Sequence, residues 1–99
     1  MQAKMYNVNG WCKECDPLLL KRHFENVLKE CGFNICGTQH KYFEPYGYTG
    51  LWLLSESHFA IHTFPEEGKT YIELSSCVEK QFRKFMTIQA EETDSFKIK

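Results

Sequence analysis

The run Ser55-Glu56-Ser57-His58-Phe59-Ala60-Ile61-His62-Thr63-Phe64-Pro65-Glu66 alternates like a half-buried strand but carries the wrong side chains for one. Hydroxyls, imidazoles and carboxylates stand where a scaffold strand holds Val, Ile and Thr, and polar groups turned toward a core cost free energy unless each finds a partner. The stretch therefore reads as a strand that carries chemistry. The run before it, Gly50 to Leu54, supplies a hairpin mate if Ser55 and Glu56 are the two loop residues. Leu54 then pairs with Ser57 and Thr49 with His62, which puts Thr49 and His62 on one face. Ser57 and His62 are five positions apart and point to opposite faces, so their cooperation requires a bulge or a second subunit.

Working outward, Asp16-Pro17 is a helix start: Asp caps free backbone amides, and Pro suits the first helical position, where no donor is needed. Leu20, Phe24, Val27 and Leu28 give the helix one apolar face, and Cys31-Gly32 stops it. Strands are expected over Phe33–Phe43, Gly50–Leu54, Ser57–Phe64 and Lys69–Leu74, with Gly47 and Gly68 as punctuation. Ala3–Val8 is the expected first strand. Ser76 with Glu79 forms a capping box ahead of Val78, Phe82, Phe85 and Met86, predicting a second short helix, and either Met86–Ala90 or Phe96–Lys99 is expected to add an edge strand. The fold expected is an α+β two-layer sandwich, one domain over residues 1–99, with a mainly antiparallel sheet and both helices on one face.

Composition narrows the function classes. Twelve Lys and Arg are scattered among 13 Asp and Glu for a net charge of −1, which leaves no electrostatic footprint for nucleic acid. No stretch approaches the roughly 20 apolar residues of a membrane span, and Met1–Asn9 has no secretory apolar core, so the chain reads as cytoplasmic. Five cysteines, an odd number, read as thiols rather than a disulfide framework. Cys12 and Cys15 with Cys31, Cys36 and His40 invite comparison with a zinc site, but the spacing of the second pair and the intervening helix argue against one; no metal is expected. Ninety-nine residues are few for two layers that must also enclose a ligand, so association with a second copy is expected.

The run from Phe43-Glu44-Pro45-Tyr46-Gly47-Tyr48-Thr49-Gly50 through Ser55-Glu56-Ser57-His58 and His62-Thr63-Phe64-Pro65-Glu66 to Cys77 resembles the prokaryotic S-adenosylmethionine decarboxylase proenzymes in order and spacing. The Cys15-Asp16 helix start fits more loosely. Taken singly, Ser57 reads as a turn hydroxyl, His62 as a structural histidine, Cys77 as a small buried hydrophobe, Phe43 as core and Glu66 as a solvated charge; their joint spacing carries the resemblance.

The resemblance implies an enzyme that makes its own cofactor. The Glu56–Ser57 bond would break by an acyl shift onto Ser57 Oγ, followed by elimination, leaving a pyruvoyl group generated from Ser57 at the start of the second chain. His62 falls on the family's processing histidine and Thr49 on the hydroxyl that assists the shift. Cys77 matches the proton donor of the decarboxylation, Glu66 the residue that holds the ribose hydroxyls, and Phe43 a ring that stacks on adenine; Phe64 stands where the family usually has Trp. Trp11 and Glu14 are candidates to complete the pocket. The expected function is decarboxylation of S-adenosylmethionine for polyamine synthesis by a homodimer of processed chain pairs, with arginine or ornithine decarboxylation, or a non-cleaving regulatory role, as alternatives. Two further departures from the family pattern are Glu73 in place of Asp, and Ser75-Ser76-Cys77-Val78 in place of Phe-Thr-Cys-Gly.

Overall fold

In the computed structural model, which describes residues 2–99, Asp16 starts a helix as its sequence context predicts. Its carboxylate accepts a hydrogen bond from the Leu19 amide at 3.0 Å, and the helix runs over Pro17–Glu30 (α1). Gly32 follows with φ +92°, a conformation that side-chain-bearing residues rarely adopt, and turns the chain back toward the sheet. Leu20, Phe24, Val27 and Leu28 are the buried residues of α1, the stripe expected from their spacing.

Five antiparallel strands form one sheet: Tyr6–Cys12 (β1), Ile35–Tyr42 (β2), Tyr48–Leu54 (β3), Ser57–Phe64 (β4) and Lys69–Ser76 (β5), in the order β1-β5-β4-β3-β2. A short 3₁₀ turn, Pro65–Glu67, joins β4 to β5, and a second helix, Glu79–Ala90 (α2), follows β5. Period-2 alternation divides the sheet into two faces. Tyr48, Trp52, Leu54, Phe59, Ile61, Ile72 and Leu74 are buried beneath the helices, and the Phe59 ring meets both Phe24 of α1 and Phe85 of α2. The opposite face carries Thr49, Leu51, Leu53, His58, His62 and Tyr71, with no helix over it. The α+β two-layer architecture with both helices on one face is therefore observed.

Three local expectations are corrected. The first strand is not Ala3–Val8 but Tyr6–Cys12, because its position is set by pairing with β5, from Tyr6 opposite Ser76 to Cys12 opposite Thr70. Ser76 and Glu79 do not form a capping box: Val78 is the helix N-cap with no side-chain cap bond, and Ser76 is fully buried in β5. Neither expected edge strand forms. Met86–Ala90 belongs to α2, and the 96–99 segment contributes a single reciprocal pair of backbone bonds between Trp11 and Lys99, at 2.8 and 2.9 Å. Gly10 makes room for this tail, since a Cβ there would lie 2.5 Å from the Lys99 carbonyl oxygen and 2.8 Å from Ile98 Cγ2.

Candidate active site

The β3–β4 hairpin has the register read from the sequence, Leu54 opposite Ser57 and Thr49 opposite His62, with no bulge between. Ser57 therefore faces the helices and His62 faces away from them. Along β4 the two Cα atoms are separated by about 17 Å at strand rise. The candidate residues fall into two groups, one at each end of the hairpin and on opposite faces.

The first group surrounds the Glu56–Ser57 peptide. Glu56 adopts φ 59°, the left-handed region that costs a residue with a Cβ about 1 kcal/mol. Two neighbours hold this turn in place. On the β2 side, Ser55 N donates to the Asn34 carbonyl at 3.1 Å, and Ser55 Oγ lies 3.4 Å from Cys36 Sγ. On the β5 side, the Glu56 carbonyl oxygen accepts from the Cys77 amide at 3.3 Å and from Cys77 Sγ at 3.4 Å. Ser57 is 7% exposed, and its hydroxyl donates to Ser76 Oγ at 2.7 Å. Chemically this is a hydroxyl next to a carbonyl whose oxygen already rests on two donors, the arrangement that stabilises negative charge if the carbonyl is attacked.

The second group lines a cavity of about 210 Å³ at the far end of the hairpin, where Phe43, Thr49, His62, Phe64 and Glu66 come together. Thr49 Oγ1 and His62 Nδ1 are 3.0 Å apart, which fixes the imidazole orientation and leaves Nε2 available. Glu66 is exposed on the 3₁₀ turn, and Phe43 and Phe64 present half-exposed rings. Trp11, opposite Tyr71 across β1 and β5, packs against Phe64 with ring centres 5.8 Å apart and extends this aromatic surface. Glu14 does not join it; its carboxylate accepts from the amides of Cys15 and Asp16.

The structure thus brings Glu56, Ser57 and Cys77 together, and Phe43, Thr49, His62, Phe64 and Glu66 together, but does not join the two sets within one chain. The sequence does not single out Ser76 as a neighbour of Ser57, yet the two hydroxyls are hydrogen-bonded. The signal was the β4–β5 hairpin: Ser57 and Ser76 are Cα partners across the two strands. Of the cysteines, Cys12 and Cys31 are buried, and desolvation pushes their thiols up to about 12 and about 11. Among the described residues no group of three His, Cys, Asp or Glu is arranged to hold a metal ion, and no helix is long and apolar enough to cross a membrane.

Comparison with known proteins places these features in context. The family model described as S-adenosylmethionine decarboxylase matches residues 6–98. The chain is 41% identical over 76 residues to the S-adenosylmethionine decarboxylase proenzyme of Brevibacillus brevis, covering 73% of this chain and 57% of the relative. It is 40% identical over 62 residues to the proenzyme of Symbiobacterium thermophilum, covering 63% and 47% respectively. The proenzyme of Archaeoglobus fulgidus is 37% identical over 67 residues, covering 63% of this chain and 60% of that one. The matched region spans about half the length of these curated relatives. Among solved structures, the adenosylmethionine decarboxylase of Aquifex aeolicus superposes with a TM-score of 0.68 at 19% identity, over 88% of this chain and 81% of that one, a likeness of fold.

Proposed function

We infer the reaction from the premise that this chain belongs to the S-adenosylmethionine decarboxylase family, whose model spans nearly all of it. The chain cuts itself between Glu56 and Ser57, and the processed protein decarboxylates S-adenosylmethionine, yielding the aminopropyl donor of polyamine synthesis. The observation that carries this reading is the Glu56 carbonyl, resting on the Cys77 amide and thiol beside the buried, hydrogen-bonded hydroxyl of Ser57.

Self-cleavage begins when Ser57 Oγ attacks the Glu56 carbonyl carbon. The C–N bond breaks, the hydroxyl proton ends on the freed Ser57 amine, and an ester replaces the amide. Negative charge that builds on the carbonyl oxygen during attack meets the two Cys77 donors. A base then takes the Ser57 α-proton, the Cβ–Oγ bond breaks, and the oxygen leaves on Glu56 as a carboxylate. Water replaces the remaining nitrogen, which departs as ammonia, and residue 57 becomes a pyruvoyl group. That group would supply an electrophilic carbonyl for the substrate amine and a sink for the electron pair left as carbon dioxide departs. Cys77 returns a proton to the substrate α-carbon. Glu66 accepts from the ribose hydroxyls, while the Phe43 and Phe64 rings take the adenine and the sulfonium cation.

The base is His62, steadied by Thr49, and it acts on a second copy of the chain. Two observations support action across a dimer. The unbulged register separates His62 from Ser57 by the thickness of the sheet. The helix-free face also exposes Leu51 and Leu53, by 48% and 62%, an apolar surface suited to burial against a like face.

Release of labelled carbon dioxide from carboxyl-labelled S-adenosylmethionine, arginine and ornithine tests the substrate. Release from the first alone is expected. Release only from arginine or ornithine would change the substrate, and release from none by an uncleaved chain would make it a non-catalytic relative.

A further inference from the structure

We propose that Ser76 is a positioning residue for the self-cleavage, holding the Ser57 hydroxyl so that its oxygen lone pair is free to attack the Glu56 carbonyl. The inference rests on the cleavage described above and assigns a role within it to a residue outside the sets already described. Ser57 and Ser76 are direct partners across β4 and β5 on the helix-covered face, and both are buried. The Ser57 proton points at Ser76 Oγ, 2.7 Å away. A hydroxyl whose proton is committed to a neighbour keeps its lone pairs for other directions, and a buried rotor with one acceptor has its orientation fixed. Ser76 Oγ is itself fixed: it also accepts from the Val78 amide at 2.9 Å, at the mouth of α2.

The dipeptide Ser76-Cys77 therefore grips both reacting groups at once. Ser76 holds the nucleophile by its proton, and Cys77 holds the electrophile by its oxygen. Ser76 ends β5 and Cys77 follows it directly, so the strand that pairs with β4 brings both groups to the Glu56–Ser57 bond. Removing the Ser76 hydroxyl frees the Ser57 hydroxyl to rotate and to donate to the carbonyl it should attack.

Ser76 also receives the Val78 amide, so the test must separate a lost fold from a lost alignment. Thr and Val have nearly the same shape and differ by the hydroxyl, so Ser76→Thr and Ser76→Val are compared with Ser76→Ala as a smaller control. The measurement is the rate at which full-length chain converts to two fragments at 25 °C, by intact mass, with far-ultraviolet circular dichroism reporting the fold. Ser76→Thr is expected to cleave within about threefold of wild type, and whichever of the Val and Ala variants keeps the wild-type spectrum to cleave at least tenfold slower than Thr, each in line with loss of one aligning contact. The same variant should yield little fragment on addition of hydroxylamine, which cuts an ester but not an amide, because the block precedes ester formation. A gap smaller than tenfold, or abundant hydroxylamine-sensitive ester, would overturn the role of Ser76 while wild-type cleavage stands. A wild-type chain that stays whole would overturn the cleavage and this inference together.

Discussion

The roles proposed for Ser57 and His62 lie at different bonds, so their removal should arrest the chain in different states. Ser57→Ala leaves no oxygen to receive the acyl group, and the chain should remain an amide that hydroxylamine does not cut. His62→Ala keeps the acyl shift but lacks the base for the α-proton, so ester should accumulate and hydroxylamine should release a fragment starting at residue 57. A His62→Ala chain that cleaves at the wild-type rate would remove His62 from the mechanism. The thiols give a second residue-scale test. Cys36 and Cys77 are exposed, whereas Cys12 and Cys31 are buried with raised thiols. Iodoacetamide at neutral pH should modify Cys36 and Cys77 in the native protein, and Cys12 and Cys31 only after unfolding, as read by peptide mass mapping. The placement of Thr49, Ser57 and His62 was legible because a two-residue hairpin leaves no freedom in counting outward from the turn. Ser76 was not. Its local sequence, Ser followed three residues later by Glu, reads as a helix cap, and only pairing with a strand 19 residues away turns its hydroxyl onto Ser57.

Element placement followed the same division between local and distant causes. The α1 start was readable because Asp16 and Pro17 act within one turn, and Asp16→Ala should lower unfolding free energy by about 1 kcal/mol in urea titration. The position of β1 was unreadable from its own residues, since Gly10 looks like a strand breaker until the tail is brought against it. That tail is held by its own bonds: the Gln89 side chain donates to the Phe96 carbonyl at 3.0 Å and accepts from the Ile98 amide at 2.8 Å. Gly10→Ala would drive a methyl group into the Lys99 carbonyl, so the 91–99 segment should loosen and carboxypeptidase should trim it faster. Unchanged trimming would mean that the tail is anchored elsewhere.

At the scale of the whole molecule, one sheet carries Ser57 at one end and on one face and His62 at the other end and on the opposite face, and the proposed reaction draws on two copies to join them. A mixture of Ser57→Ala and His62→Ala chains, each inactive alone, should regain cleavage of the His62→Ala chain. The Ser57→Ala partner would supply the imidazole, and gel analysis of the mixture would detect the fragments. Persistent absence of fragments from a mixture that forms mixed dimers would refute action between copies. Alkaline pH tests the shared core. The unfolded Cys12 and Cys31 thiols ionise near 9, while the folded ones are held up to about 12 and about 11 by burial. Their contribution to stability is complete below pH 9 and is lost as pH rises through 11 and 12, so thermal midpoints should hold steady through neutral pH and fall above about pH 9.

The self-cutting bond is the claim on which everything else depends, and intact mass after prolonged incubation of the purified wild-type chain reads it directly. The account predicts two chains, one ending at Glu56 and one beginning at residue 57 with a ketone that reacts with a hydrazine label. A single full-length mass with no labelling would contradict it.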